Sequence, residues 1–193
     1  MAPLGRACGL ALSCAIFSKS MSSVPLTSLD FRRVLGHFAT GVTVITVESV
    51  PQRVHGMTAN SFASVSLVPP LVSVCVDERA HLLPMLKQHR LFGVNVLKDD
   101  QQHLSEFFAR PEPPGPRPAG HDEHDLEISF CWSQDGIPLL DNVLCQVACR
   151  LYAAHLAGDH SIIVGEVLSA SLFHGKPLIF FRGNYSRLEA PSS

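Results

Sequence analysis

A mainly β fold, a barrel with short helices around it, is what this chain of 193 residues predicts. Three observations carry that expectation. Short runs of β-branched and aromatic residues recur along the chain, six or more of them, and strands outweigh helices. The helical stretches are short and lie mostly between the early strands. The late part of the chain holds two long apolar runs, "VLCQVACRLYAAHLA" (143–157) and "SIIVGEVLSASLF" (161–173), separated by Gly158-Asp159-His160, a hairpin signal. Long antiparallel partners suit a closed or nearly closed barrel better than a doubly wound parallel sheet.

The elements follow in order. "TSLDFRRVLGHFATG" (27–41) reads as a helix: Thr27 or Ser28 caps it, Asp30 suits its first turn, and Gly41 suits its stop. Phe31, Val34, Leu35 and Phe38 recur at i, i+3, i+4 and i+7, one apolar face. "VTVITV" (42–47) is β-branched and extended, and a further strand begins near Gly56. "LVSVCV" (71–76) is a short buried strand. "AHLLPMLKQH" (80–89) is a short helix whose start Pro84 limits, "LFGVNVL" (91–97) a strand, and "DDQQHLSEFFA" (99–109) a helix with Asp99 and Asp100 at its N-terminus. "RPEPPGPRPAGHDEHD" (110–125) holds five of the 14 prolines and reads as an exposed loop. "PLIFFRGNYSRL" (177–188) is the last strand. The domain is expected over 27–188, with an extension at 1–26 and a tail at 189–193.

Composition narrows the function. The chain is 46% hydrophobic and 17% charged, so its surface leaves room for a large apolar interface and an oligomer is expected. Net charge is −2 with no long basic run, which argues against nucleic-acid binding. The apolar run 7–17 is too short to span a membrane. Residues 1–29 lack Asp and Glu and are serine-rich. That fits an extension ahead of a second start at Met21, an organelle transit peptide, or a secretory signal lacking a clear cleavage site. A cytoplasmic location is expected, with a mitochondrial or other organelle address through residues 1–20 as the alternative. The six cysteines form no C-x-x-C. Cys145 and Cys149 would lie about 13 Å apart along a strand, too far for a disulfide. Reduced thiols in a reducing compartment follow.

No G-x-G-x-x-G follows a strand, no G-x-x-x-x-G-K-[ST] occurs, and there is no G-x-S-x-G elbow. This argues against a dinucleotide held tightly on a Rossmann half and against a P-loop nucleotide. His121 and His124 stand among carboxylates in "GHDEHD", but the proline-flanked loop lacks the rigid shell a metal requires, and no metal is expected. His160, on the turn between two apolar strands, fits either a surface histidine or a polar tip at a barrel rim, able to donate a hydrogen bond or proton near neutral pH. Asn95 is polar inside an apolar strand and fits an outward or a site-facing position alike. "GMTANSFASVSLVPPLVSV" (56–74) is the sharpest signal. Read as one strand, it puts Phe62, Ser64 and Ser66 on one face and Ser61, Ala63, Val65 and Leu67 on the other. Small residues on both faces let a flat ligand approach, and hydroxyls can take its phosphate or ring edges. A serine-rich edge strand is the alternative.

Seven landmarks in order, "FRRVLGHFATGVTVIT" (31–46), "GMTANSFASVSLVPPLVSVCV" (56–76), "FGVNVL" (92–97), "LSEFFA" (104–109), "GIPLLD" (136–141), "GDH" (158–160) and "LIFFRGNY" (178–185), resemble the flavin reductase-like, FMN-binding split-barrel family over about 29–188. The resemblance implies a split β-barrel homodimer that reduces FMN or FAD with NADH or NADPH and passes reduced flavin to a monooxygenase. It implies Thr58, Ala59, Asn60, Ser61 and Ser64 along the flavin, Cys75, Val76 and Asp77 at its edge, and Ser105, Phe107 and Phe108 closing the site. It puts His160 at the reactive centre, and Phe180, Phe181, Arg182, Gly183 and Tyr185 at the nicotinamide cofactor. Many relatives carry a hydroxyl near the flavin phosphate where Ala80 to Leu82 stand here. In this chain Arg79 and His81 are the nearby polar groups, with Leu82 beside them.

Overall fold

The computed structural model describes residues 26–51, 53–110, 117–118 and 128–188. His121, His124 and the sequence expectations for residues 1–25 and 189–193 lie outside them. Three helices and thirteen strands follow in order: α1 (Ser28–Leu35), β1 (Thr40–Gly41), β2 (Thr43–Val50), β3 (Arg53–Ala59), β4 (Ala63–Leu67), β5 (Pro70–Asp77), α2 (Leu82–His89), β6 (Leu91–Val96), α3 (Gln102–Ala109), β7 (Arg117–Pro118), β8 (Phe130–Trp132), β9 (Pro138–Leu140), β10 (Cys145–Ala157), β11 (His160–Leu172), β12 (Leu178–Phe181) and β13 (Asn184–Arg187).

One antiparallel sheet dominates, in the order β4-β5-β11-β10-β6-β2-β3-β7. It curls into a barrel. Val47 and Ala59 on β2 and β3 share one buried cluster with Val72, Val74 and Val76 on β5, although three strands separate β2 from β5 in the sheet. Phe92, Val94, Leu151 and Ile163 fill the middle, and Leu82, Leu83 and Leu86 of α2 close the opening. Gly165 permits this packing, since a Cβ there would meet Phe92 Cζ at 2.5 Å. A second cluster lies on the other face of β2, where Val42 and Val44 meet Leu104, Phe107 and Phe108 of α3 and Leu178 of β12. A small sheet, β1-β12-β13, borders it.

The β10–β11 hairpin turns where expected, through Gly158 (φ 68°) and Asp159, with Ala157 and His160 paired across it. A glycine at positive φ first in a two-residue turn matches strand twist. Helix α2 ends at Arg90, whose φ of 60° stops it.

Four expectations change. α1 stops at Leu35 with Gly36 as cap, and Gly41 already lies in β1. Its cap is Thr27, whose Oγ1 accepts from Asp30 N at 3.1 Å. Asp99 and Asp100 precede α3 rather than open it, because Asp99 N–H is taken by Lys176 O. The last strand is a hairpin, broken by Arg182 (φ 52°) and Gly183 (φ 80°) in left-handed conformations. The stretch 56–74 is the end of β3, all of β4 and the first part of β5, since Asn60 to Phe62 break from extended pairing. Its β4 portion is the serine-rich edge strand.

Asn95 faces inward and is fully buried. Its Nδ2 donates to Val44 O (3.0 Å) and Thr46 Oγ1 (3.1 Å), and its Oδ1 accepts from Leu140 N (2.8 Å). It is a clamp holding β2, β6 and β9 together.

Candidate active site

The pocket is built from residues that the barrel's ends bring together. Gly56, Met57 and Thr58 come from β3, Asp77 from the end of β5, Arg79, Ala80 and His81 from the turn that follows, Leu82 from α2, and Phe108, Ala109 and Arg110 from the end of α3. Its volume is about 600 Å³, within the ordinary range for cofactor-sized sites. One wall is apolar, made by Met57, Ala80, Leu82, Phe108 and Ala109. Arg79, His81 and Arg110 line it as well, so three basic residues border one opening.

The walls are held from behind. Gly56 has no side chain because Phe108 sits against it: a Cβ there would lie 2.4 Å from the ring. Phe107 braces Phe108 edge to face, ring centres 4.9 Å apart. Thr58 Oγ1 donates to Ser105 O (2.7 Å), and Ser105 Oγ meets Tyr185 OH at 2.8 Å. One hydrogen-bonded path therefore joins β3, α3 and the β12–β13 hairpin. Ser61 Oγ accepts from Cys75 N (2.9 Å) and donates to Cys75 O (3.3 Å), so it ties the chain before β4 to β5.

Asp77 organises the charged end. Its Oδ1 accepts from Arg79 N (2.8 Å) and Arg79 Nε (3.1 Å), and its Oδ2 from Arg79 Nη2 (2.8 Å). The Arg79 hydrogen bonds hold the Asp77 carboxyl well below the usual carboxylate range, and Asp77 in turn raises Arg79. The carboxylate thus fixes a guanidinium at the pocket that would otherwise wander in solvent.

Of the residues expected from the sequence, Thr58, Asp77, His81, Leu82 and Phe108 line this pocket. His160 is paired with Asp77 across the β5–β11 ladder, which places it beside the rim. Ala59, Val76, Ser105 and Phe107 are buried behind the walls. Asn60, Ser61 and Cys75 lie beyond the end of β3 and along β5. Phe180, Phe181, Arg182, Gly183 and Tyr185 sit together on the separate hairpin, tied to α1 by Arg182 N donating to Gly36 O (2.7 Å). Ser64 stands on the exposed edge strand, apart from the pocket. Sequence reasoning missed Gly56, Met57, Ala109 and Arg110. A glycine inside a strand signals close approach by another group, so Gly56 was legible. Arg110 carried no signal beyond its place before the proline-rich segment.

Among the described residues no three His, Cys, Asp or Glu side chains are grouped to hold a metal ion, and no helix is long and apolar enough to cross a membrane.

A family model described as "Flavin reductase like domain" matches residues 35–189. The chain belongs to that family. Among its flavin reductase relatives is the NADH-dependent flavin reductase of a Rhodococcus species, 39% identical over 166 residues that cover 85% of this chain and 88% of the other. The reductase component of 4-hydroxyphenylacetate 3-monooxygenase from Thermus thermophilus is 38% identical over 168 residues, covering 84% of this chain and 97% of the other. The solved NADH:FAD oxidoreductase of Streptomyces globisporus superimposes with a TM-score of 0.77 at 35% identity, covering 86% of this chain and 96% of the other. The mainly β architecture expected from the strand pattern is the split barrel of this family.

Proposed function

We propose that this chain is an NADH-dependent flavin reductase that acts on FMN or FAD and hands the reduced flavin to a flavin-dependent monooxygenase. The observation that carries the reading is the pocket of about 600 Å³ in a flavin-reductase fold, apolar along one wall and lined by Arg79, His81 and Arg110. A flat ring suits the apolar wall, and an anionic phosphate suits the basic groups. The residues present therefore fit a phosphorylated flavin without the hydroxyl that relatives place near Ala80.

When both substrates are bound, the dihydronicotinamide gives a hydride to the flavin ring, which also takes up a proton. The protein's part is to bind, orient and exclude water. Phe108 and Leu82 shield the ring face. Arg79, set by Asp77, takes the phosphate. His160 orients the nicotinamide from the rim.

We also infer a homodimer. The apolar residues of α1 and of the turn after it are left open within one subunit: Phe31 is 50% exposed and Phe38 76%. With Val34, Leu35 and Phe181 they form a surface of the kind subunits cover. Among the described residues Cys75, Cys131, Cys145 and Cys149 are free thiols, which suits a cytoplasmic location.

The test is NADH and NADPH oxidation with FMN, FAD and riboflavin as acceptors. The expected result is steady NADH oxidation with a phosphorylated flavin, and dimers by sedimentation. A protein that retains bound flavin yet turns over no nicotinamide cofactor would be an electron carrier, and the reductase reading would fall.

A further inference from the structure

The imidazole of His160 has one hydrogen-bond partner among the described residues, and it comes from the preceding position in the turn. Asp159 Oδ1 lies 2.8 Å from His160 Nδ1. The turn that carries Asp159 is itself fixed, by the positive φ of Gly158 and by Glu78 N donating to Asp159 O (3.0 Å).

The groups around the imidazole divide the work. His160 lies opposite Asp77 in the ladder, and directly opposed residues project from the same face of a sheet. Asp77 lines the pocket, so the imidazole stands on the pocket's side of β11. Asp77 does not hold the ring: its oxygens accept from Arg79, and the imidazole's hydrogen bond goes to Asp159. Asp77 acts on His160 only through space. Glu78 is turned to Ser161, whose Oγ donates to it, and to Lys87 Nζ at 3.9 Å. Arg79 is bound to Asp77. Orientation of the ring is left to Asp159, whose carboxyl is in turn held low by the hydrogen bond to His160.

We propose that Asp159 is a positioning residue: by accepting a hydrogen bond from the Nδ1–H of His160 it leaves Nε2 as the ring atom presented to the pocket rim, where it accepts an N–H of the nicotinamide carboxamide. This inference rests on the reading of the chain as an NADH-dependent flavin reductase. The chemistry of the neutral ring requires one nitrogen to donate and the other to accept. A carboxylate on Nδ1 settles which is which. The pair is open to solvent, side chains 85% exposed for Asp159 and 43% for His160. Its Coulombic attraction is therefore screened, and the effect is one of aim.

The test uses the full chain. In Asp159→Ala, kcat/KM for NADH falls about tenfold at neutral pH, and FMN affinity by fluorescence titration stays within twofold. Asp159→Glu recovers part of the loss. In a double-mutant cycle, Asp159→Ala costs nothing further once His160→Ala is in place, because it acts through that ring. A wild type that turns over NADH while Asp159→Ala matches it, or a loss that adds in full to that of His160→Ala, overturns this inference alone. A wild type that oxidises no NADH overturns the functional reading and this inference with it.

Discussion

Gly56→Ala tests the pocket wall most directly. The new Cβ would lie 2.4 Å from both Cδ1 and Cε1 of Phe108, where carbon atoms normally rest about 3.5–4.0 Å apart. Something must yield by about 1 Å. The backbone at Gly56 is held in the β2–β3 ladder opposite Thr46, and its φ is of the ordinary kind, so alanine brings no backbone strain. Phe108 is 4% exposed and braced by Phe107, so its ring has one free direction, into the pocket it lines. Overpacking of this kind costs about 1–3 kcal/mol. For a domain of this size each kcal/mol moves Tm by about 2–4 °C, so a fall of about 4–8 °C is expected at mid-range. Flavin affinity should fall about tenfold as the ring enters the flavin's space. Thermal denaturation and a flavin fluorescence titration measure both. Gly56→Ala combined with Phe108→Leu should recover most of the loss in Tm. If Gly56→Ala keeps Tm within 1 °C and flavin affinity within about twofold, the wall is not set by this contact.

Other outcomes follow from the same geometry. Arg79→Ala should weaken FMN binding about five- to tenfold and leave riboflavin unchanged, since an exposed charge contact is modest in strength; equal losses for both flavins would remove the phosphate role. Because Asp77 is held below the usual range, its tether on Arg79 persists through the pH at which free carboxylates protonate, about 3.9, and is lost only at lower pH. Asp77→Asn should therefore lower FMN affinity at neutral pH, whereas wild-type affinity should hold down to about pH 4. Burial pushes the Cys149 thiol up to about 12. Its contribution is thus complete below the unfolded thiol's value of about 8.5 and declines as pH rises from there, and a thiol reagent at pH 8 should label Cys149 only after unfolding. Asn95→Leu strands the Leu140 N–H in the interior, an omission worth about 1–3 kcal/mol, with further loss from the two bonds Nδ2 gives up. Urea denaturation should put the total near 3 kcal/mol.

The strands were legible because β-branched runs and the Gly-Asp turn are local signals. "VTVITV" and "LFGVNVL" needed only their own residues to be read. Where distant groups decide, the reading slipped. Arg182 and Gly183 fold the last segment back on itself, and nothing in "LIFFRGNY" announces that Arg182 will take a left-handed conformation. Asn95 looked ambiguous because its partners, Val44, Thr46 and Leu140, lie as far as 51 residues away in sequence. By type alone the hydroxyls of 56–74 read as ligand groups; in the fold Ser61 also binds a backbone, and Thr58, which lines the pocket, also donates to α3, because a buried hydroxyl must find a partner wherever the fold supplies one. The pocket's basic groups were only half visible: Arg79 and His81 lie in one turn, while Arg110 arrives from the far end of α3.

The Asn95 clamp also bears on how the barrel opens. β9 is three residues long and pairs through its ladder only with β8, so by local structure its amides should exchange with solvent readily. Leu140 N–H does not share that freedom, because its acceptor sits fully buried on a central strand. Releasing it exposes Asn95, Thr46 and the carbonyl of Val44 at once, so the hairpin undocks as a whole or stays. The Leu140 amide should then exchange at the rate of global unfolding, while the Ser133 amide in the same hairpin's turn exchanges earlier. A short peripheral hairpin thereby reports on the cooperativity of the entire barrel.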